Sequence, residues 1–246
     1  MKTTKNTAKT AAKKAIKKTH YKLAVLWAAF RLFMGREAVK VSISTGNSKL
    51  GEIPSWSLLP GVTCSREACR HCLQEGCYAV KNAFRCGYNV DHNTTLSAWA
   101  RNTAAAKEHL PELEATLDAY FSAMSAPRFF RIHAAGDFFS VEYMEMWRRV
   151  IKRHPHTNFL FFTKQWDVLR AVPMLGIDNL SPVLSGWTGC EVPQDLIDAG
   201  YRVAWCDDGL ETRIPADALE CPGSCEQCGM CWNLYKIGKD TYFHKH

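Results

Sequence analysis

Two compact groups of cysteines constrain the fold of this chain more than any other feature of its sequence. The first group comprises Cys64, Cys69, Cys72 and Cys77, and the second comprises Cys221, Cys225, Cys228 and Cys231. The chain has eleven cysteines, an odd number that cannot all pair in disulfides within one chain. At 246 residues it is also much longer than the usual secreted disulfide scaffold. The grouping therefore predicts metal ligation in a reducing cytoplasm.

The second group has spacings that favour an iron–sulfur cluster over a zinc ion. Its cysteines lie within eleven residues and are separated by three, two and two residues. Structural zinc sites usually set two Cys-x-x-Cys pairs apart by a long loop, and this segment is too short to contain one. Short cysteine runs ligate clusters in ferredoxins, so we predict a closed 4Fe–4S cluster here, with zinc as the alternative metal.

The first group is less regular, and its ligand set stays open. Cys64-x4-Cys69-x2-Cys72 is one residue longer than the Cys-x3-Cys-x2-Cys loop of radical S-adenosylmethionine enzymes, and Cys69-x2-Cys72-x4-Cys77 is an equal alternative. Three protein ligands leave one iron of a 4Fe–4S cluster free to bind S-adenosylmethionine. Four ligands close the cluster and make it structural or electron-relaying. The sequence therefore predicts one or two clusters per chain.

Strand-like and helix-like segments alternate along the chain. Strands are predicted at Ala38–Ser44, Phe129–His133, Phe159–Thr163, Val183–Ser185 and Val203–Cys206, and the clearest helix at Val141–Arg153. This alternation predicts an α/β fold with a mostly parallel sheet, built as a partial (β/α) barrel. A hydrophobic content of 47% supports a sizeable core, and no apolar run approaches the ~20 residues that span a bilayer, so we expect no membrane partner.

The positive charge is concentrated at one end of the chain. Residues 1–22 hold eight lysines and no acidic residue; without these eight, 23 basic residues face 24 acidic ones. Such a segment cannot bury a core, and it either contacts nucleic-acid phosphates or is simply solvated. We therefore divide the chain into a flexible tail (1–22), an α/β partial barrel (23–220) and a cysteine-rich metal-binding extension (221–246).

Polar side chains follow several of the predicted strands. Asp137, Lys164 and Ser185 stand where strands end, and Arg131 and His133 share one face of the strand before Asp137. Chemistry in parallel α/β folds gathers at the carboxyl ends of the strands, so these residues predict the rim of a substrate cavity. For any single position, an ordinary turn or capping role is the alternative.

Several motifs together resemble the gene product 88 family of phages and plasmids. They are Gly46-Asn-Ser-Lys-Leu-Gly51, Ser55-Trp-Ser-Leu-Leu-Pro60, Thr63-Cys64, Cys77-Tyr-Ala79 with Lys81, Arg131-Ile-His133-x-x-Gly-Asp-Phe-Phe-Ser140, Phe162-Thr-Lys164 and the terminal cysteine run. The resemblance extends from about Gly46 to Trp232 and leaves the lysine-rich tail outside it. This family resembles radical S-adenosylmethionine proteins, which implies a barrel of that type and, for a phage protein, the host cytoplasm.

The resemblance also implies roles for individual residues. The first cluster motif of the family is closest at Cys64, Cys69 and Cys77, followed by Tyr78, and Cys72 is additional. Ala135-Gly136-Asp137 is similar in position to the Gly-Gly-Glu segment that binds the methionyl amino group, with a shorter acid. The assignments to S-adenosylmethionine binding are Gly136, Asp137, Tyr78 and Ser185, and those to catalysis are Arg131, His133 and Lys164.

Two functions of different classes follow from these features. The first is an enzyme that cleaves S-adenosylmethionine reductively with a 4Fe–4S cluster and abstracts hydrogen from an unknown substrate, with nucleic acid as one candidate and a reductant protein as its partner. The second is a metal-cluster protein without catalytic activity that binds nucleic acid through the tail. The cysteine loop, the α/β alternation and the polar rim favour the enzyme.

Overall fold

The structure, a computed structural model, describes residues 22–27, 29–31, 33–34, 40–65, 77–85 and 94–244. The predictions for most of the tail and for Cys69 and Cys72 lie outside these residues. No helix in the described part of the chain is long and apolar enough to cross a membrane.

Seven strands form one sheet in which every neighbouring pair is parallel. They are β1 (Ser55–Trp56), β2 (Phe129–Ile132), β3 (Asn158–Thr163), β4 (Leu180–Gly186), β5 (Arg202–Asp207), β6 (Leu219–Glu220) and β7 (Thr241–His244). Their order is β1-β2-β3-β4-β5-β7-β6, so β1 and β6 are the two edges and the barrel is not closed. The predicted parallel α/β fold is confirmed in this open form.

The helices of the described chain surround this sheet and include the parallel crossovers. They are α1 (Tyr78–Ala83), α2 (Thr94–Glu108), α3 (Leu110–Ser122), α4 (Val141–Arg153), α5 (Trp166–Ala171), α6 (Gln194–Asp198), α7 (Cys225–Cys228) and α8 (Leu234–Ile237), with a 3-10 helix at Met230–Asn233. Helices α4, α5 and α6 connect β2 through β5 in turn, as parallel neighbours require.

Helix α4 has the bounds that its sequence predicts. Ser140 caps it by accepting a hydrogen bond from the backbone N–H of Tyr143 at 3.3 Å. Tyr143, Trp147 and Val150 are fully buried on one side of the helix. They pack with Phe159 and Phe161 of β3, so the main core lies between the sheet and α4–α6.

The opposite face of the sheet is covered by the terminal cysteine segment. Leu234 is fully buried against Leu160, Val183 and Ala204 of the three central strands. The Ser181 hydroxyl donates to the carbonyl of Cys231 at 2.7 Å. The segment that the sequence sets apart as an extension therefore lies on the sheet, and β7 then enters the sheet between β5 and β6.

The described part of the predicted strand Ala38–Ser44 is not a strand of the sheet. Only Ser44 pairs, in an isolated antiparallel bridge with Ser55. Beside it, the Asn102 side chain of α2 accepts from the Ser42 N–H and donates to the Ser42 carbonyl, both at 2.8 Å. A side-chain amide thus occupies the backbone groups that a neighbouring strand would pair.

Candidate functional site

A cavity of about 1220 Å³ lies on the sheet face opposite α4–α6. Leu160 and Phe162 of β3 form part of its wall, and Lys164 and Ser185 mark the strand ends that it reaches. Described members of both cysteine groups also line it, namely Cys64, Cys77, Cys221, Cys225 and Cys231. Two sequence segments that were predicted to bind metal separately thus meet at one cavity.

The first cysteine group is anchored by a buried threonine. The Thr63 hydroxyl donates to the Leu59 carbonyl at 2.9 Å and accepts from the Asp137 N–H at 3.2 Å. Cys64 follows directly, and its sulfur accepts from the Gly61 N–H at 3.4 Å. Cys77 precedes α1, and its backbone carbonyl accepts from the Lys81 N–H at 3.0 Å. The positions of both thiols are thus fixed by regular backbone structure.

The terminal group is held between two loops. Cys225 and Cys228 begin and end helix α7, and Gly229, with a φ of 60°, reverses the chain toward Cys231. The Cys225 N–H donates to the Lys49 carbonyl at 2.8 Å, which joins this group to the segment before β1. All four terminal cysteines are free thiols.

The terminal thiols interact electrostatically with one another and with two cations. Burial raises the pKa of Cys225, and Arg131 and Lys49 oppose that rise. Burial also raises the pKa of Cys231 to about 12, and the neighbouring thiols Cys221 and Cys228 add to it. Without a metal the Cys231 thiol is therefore neutral at neutral pH, and a metal ion would have to displace its proton to bind it.

No three His, Cys, Asp or Glu side chains in the described ranges converge as a single metal ion requires. Neighbouring terminal thiols nevertheless raise the pKa of Cys225 and that of Cys231, so these sulfurs lie near one another. In a 4Fe–4S cluster each cysteine binds a different iron, so the sulfurs stand farther apart than around one ion. Ligation of a cluster by these cysteines, with zinc as the alternative, stays a prediction from the sequence.

Arg131 contributes an unpaired cation to the cavity. Its guanidinium carbon lies 4.0 Å from the centre of the Phe162 ring, and its N–H groups reach the carbonyls of Ile132 and His133 at 3.3 and 3.4 Å. Burial lowers the pKa of Arg131, and Tyr78, Cys225 and Cys231 oppose that change. Within the described chain no carboxylate lies at ion-pair distance from it, so the positive charge remains available to the cavity.

His133 reaches the cavity wall, but its imidazole packs toward helix α4. The strand ends at Ile132, and the left-handed φ of 59° at His133 breaks the alternation that predicted a shared face with Arg131. The ring packs against Phe138, and Nε2 lies 3.0 Å from the Tyr143 hydroxyl. Burial, together with Arg131, lowers the pKa of His133 to about 3, so the imidazole is neutral at physiological pH.

Asp137 joins the loop after β2 to the end of β3. Its carboxylate accepts from the Thr163 hydroxyl at 2.7 Å and from the N–H groups of Phe138 and Lys164, both at 2.8 Å. Burial raises the pKa of Asp137 to about 6 although these donors oppose the rise. Its carboxylate oxygens thus have internal donors, and binding of a cofactor amino group by Asp137 stays a prediction.

Gly136 allows the loop that carries Asp137 to approach the first cysteine segment. Its φ is 79°, and a Cβ atom there would lie 2.7 Å from both the Leu58 Cβ and the Thr63 hydroxyl oxygen. Any side chain would push the loop away from Thr63, which precedes Cys64. The role of Gly136 that the structure shows is therefore close packing.

Lys164 and Ser185 form a polar corner at the ends of β3 and β4. The ammonium donates to the Ser185 hydroxyl at 2.7 Å and lies 5.3 Å from the centre of the Trp187 ring. Across the cavity, Tyr78 is 51% exposed and its hydroxyl donates to the Ala134 carbonyl. Sequence reasoning missed Lys49 and Trp187, although Lys49 lies within one of the motifs of the resemblance.

A sequence model of the gene product 88 family matches residues 2–234 of this chain. The match begins at residue 2, so it includes the lysine-rich segment that the quoted motifs leave out. No solved structure matches the chain.

Two phage proteins are similar to part of the chain. The gene 88 protein of Mycobacterium phage L5 is 30% identical over 125 residues, which are 44% of this chain and 52% of that protein. The gene 88 protein of Mycobacterium phage D29 is 29% identical over 126 residues, with the same coverage of both chains. The match thus spans about half the length of these curated relatives.

Proposed function

This chain belongs to the gene product 88 family, and for it we propose the function of an iron–sulfur protein that cleaves S-adenosylmethionine reductively beside a substrate in the cavity. One observation carries the proposal: thiols from two groups 144 residues apart in the sequence line the same cavity. Partly exposed cysteines without a shared role have no reason to collect at one concave surface whose cations have no carboxylate partner in the described chain.

The terminal thiols, Cys221, Cys225, Cys228 and Cys231, would hold one cluster. Cys64 and Cys77 would hold another together with cysteines of the segment between them. When bound, such a cluster with one open iron would supply the one-electron reduction that cleaves S-adenosylmethionine, with a reductant protein of the host cytoplasm as the source of the electron.

The residues of the chain supply positioning and charge. Arg131 places a positive charge beside Cys225 and Cys231, where it favours the thiolate forms that bind metal. Asp137 fixes the loop after β2 against β3, and Gly136 brings that loop to the first cysteine segment. Lys164 has three N–H donors and uses one of them on Ser185, so two remain for a ligand.

Metal analysis of anaerobically purified protein tests the proposal. We expect about eight irons and as many sulfides per chain if both groups bind 4Fe–4S clusters. We also expect that S-adenosylmethionine changes the electron paramagnetic resonance spectrum of the reduced protein. Stoichiometric zinc without sulfide would contradict the cluster hypothesis at both sites, and a spectrum insensitive to S-adenosylmethionine would contradict the enzyme.

Single substitutions separate the two groups. Cys64→Ala should remove the response to S-adenosylmethionine, whereas Cys225→Ala should lower iron content and thermal stability but retain the response. Cys190→Ala is the matched control, because Cys190 is a buried thiol that does not line the cavity, and it should keep full iron content. The reverse pattern for Cys64 and Cys225 would exchange the roles of the two groups.

A further inference from the structure

The described lining of the cavity is strongly basic. It contains five cationic side chains, namely Lys49, Lys81, Arg85, Arg131 and Lys164, and one acid, Asp137. Outside residues 1–22 the chain has 23 basic and 24 acidic residues and is nearly neutral. The excess of positive side chains in the cavity is therefore local to it. Cavities lined by one sign of charge attract ligands of the opposite sign.

These five cations have no carboxylate partner at ion-pair distance in the part of the chain that the structure describes. On the outer surface, by contrast, Arg149, Arg153 and Arg170 form ion pairs with acidic side chains at 2.6–2.8 Å. Asp137, the acid in the cavity lining, is occupied by three internal donors. Carboxylates of the described chain therefore do not neutralise the positive charge of the cavity.

The negative charge of metal-bound thiolates would be balanced by only some of these cations. Arg131 and Lys49 lie within electrostatic reach of Cys225 and would balance a cluster on the terminal group. Lys164 instead stands at the end of β3 beside Ser185 and Trp187, and Lys81 and Arg85 come from α1 and the turn after it. These last three cations are the candidates for an anionic ligand.

Aromatic rings accompany the cations in the cavity. Arg131 lies 4.0 Å from the Phe162 ring centre, Lys164 5.3 Å from that of Trp187, and Lys49 5.4 Å from that of Phe243. A basic groove combined with aromatic faces is the usual arrangement for binding single-stranded nucleic acid, where bases stack and cations follow the phosphates. In the lysine-rich tail the one such aromatic residue is Tyr21, near its end, so aromatic rings are not interleaved with the lysines there as they are with the cations of the cavity.

We propose that this cavity binds nucleotide units, with phosphate groups against Lys81, Arg85 and Lys164 and a base against Trp187. Its volume of about 1220 Å³ exceeds the ~300–1,000 Å³ of ordinary small-ligand pockets, so it has room for more than one unit. The inference rests on the proposed function in one respect: it identifies the substrate class of the same cavity. Single-stranded DNA or RNA and free nucleotides share this chemistry.

Anisotropy of a fluorescent single-stranded deoxythymidine oligonucleotide, titrated with the full chain carrying its metal, measures the binding. The double variant Lys81→Gln with Arg85→Gln should weaken binding about tenfold and reduce the slope of log K against log salt by about 1.4, since each lost phosphate contact contributes about 0.7. Lys152→Gln is the matched control, because Lys152 is exposed on α4 away from the cavity, and its binding should equal that of the unaltered chain.

The variant Trp187→Leu tests the proposed stacking of a base on the Trp187 ring. Loss of one stacked base costs about 1–3 kcal/mol, so binding should weaken by at least about fivefold while the salt slope stays unchanged. A nucleoside triphosphate and inorganic tripolyphosphate serve as competitors. Competition by the nucleoside triphosphate alone supports a free nucleotide, and preference for the oligonucleotide over both supports a strand. Equal competition by tripolyphosphate, with Trp187→Leu unchanged, overturns the proposal in favour of a plain polyanion site.

The readouts keep this proposal distinct from the iron–sulfur function. If the Lys81/Arg85 and Trp187 variants bind the oligonucleotide like the unaltered chain, the cavity is not its site and the inference fails. Iron content and the response to S-adenosylmethionine are measured on the same samples and decide the proposed function separately. Retained iron and an unchanged thermal midpoint show that the variants are folded.

Discussion

Asp137 and His133 are two buried titratable residues of the cavity wall whose pKa values are displaced in opposite senses. Burial raises the pKa of Asp137 from 3.8 to about 6, so the folded chain binds this proton more tightly than the unfolded chain does. Its contribution to stability is present below pH ~4 and is lost as the pH rises through ~6. Burial lowers the pKa of His133 from 6.5 to about 3, so its contribution is present above pH ~6.5 and is lost as the pH falls toward ~3.

Between pH ~4 and ~6, a rise in pH lowers the contribution of Asp137 to stability and increases that of His133. Substitution of Asp137 therefore leaves the pH dependence that His133 causes. Asp137→Asn should therefore lose stability by about 1.4 kcal/mol per pH unit on acidification through this range, relative to the unaltered chain. Chemical denaturation at several pH values measures the difference. Asp178→Asn is the control at an exposed carboxylate and should show no such difference. Parallel pH profiles for Asp137→Asn and the unaltered chain would mean that the Asp137 pKa is not raised.

At the scale of elements, the contact between the loop before β1 and helix α7 links the two halves of the cavity. Gly51 has a φ of 63°, and a Cβ atom there would lie 1.9 Å from the Glu226 Oε2 and 2.7 Å from the Glu226 Cβ. Gly51→Ala should therefore push α7, with Cys225 and Cys228, away from the loop. We expect a loss of terminal-cluster iron and a destabilisation about 1–3 kcal/mol larger than that of a glycine with no such neighbour.

Gly176→Ala provides that comparison. Gly176 has a φ of 73° with no atom within 4 Å of its Cβ position, so it carries the same backbone strain, about 1–2 kcal/mol, without the crowding. Iron content and denaturation midpoints of the two variants then separate strain from crowding. Equal effects on stability and full iron in both would show that Glu226 moves aside and that α7 keeps its place.

Elements with local signals were predictable from the sequence, and elements made by distant partners were not. Helix α4 has a capping serine and an apolar stripe, and its bounds are confirmed. No strand was predicted for β7, which has only four residues with a polar one at each end. The His244 side chain pairs with Asp207 of β5 at 3.0 Å and with Glu220 of β6 at 3.2 Å. Those partners are not visible in a local pattern.

At the scale of the molecule, the sequence likewise predicts which residues belong to the candidate site but not how the fold arranges them. The cysteine spacing and the polar strand ends indicate which residues to examine, and Arg131, Lys164 and Ser185 do line the cavity. That both cysteine groups line it as well depends on how the terminal segment crosses the sheet face. The direction of the His133 ring depends on one left-handed backbone angle. Neither can be derived from residue types and spacing.

The lysine-rich tail belongs to the whole-molecule scale because it carries the excess charge. Deleting residues 1–20 should leave the thermal midpoint unchanged and flatten the salt dependence of nucleic-acid binding, because several phosphate contacts are lost. Differential scanning calorimetry and binding at several salt concentrations check both parts. A lower midpoint after deletion would mean that the tail packs against the body, and an unchanged salt slope would mean that it contacts no phosphate.

The position of β7 has a consequence for how this protein is made. Residues 241–244 are the last to be synthesised of the seven strands, yet they lie inside the sheet, where they join β6 to β5. Within the described sheet, β6 therefore has no strand to pair with until residue 244 has left the ribosome. Thr241 and Phe243 of this last strand also line the cavity, so its described lining is complete only after the rest of the sheet has been synthesised.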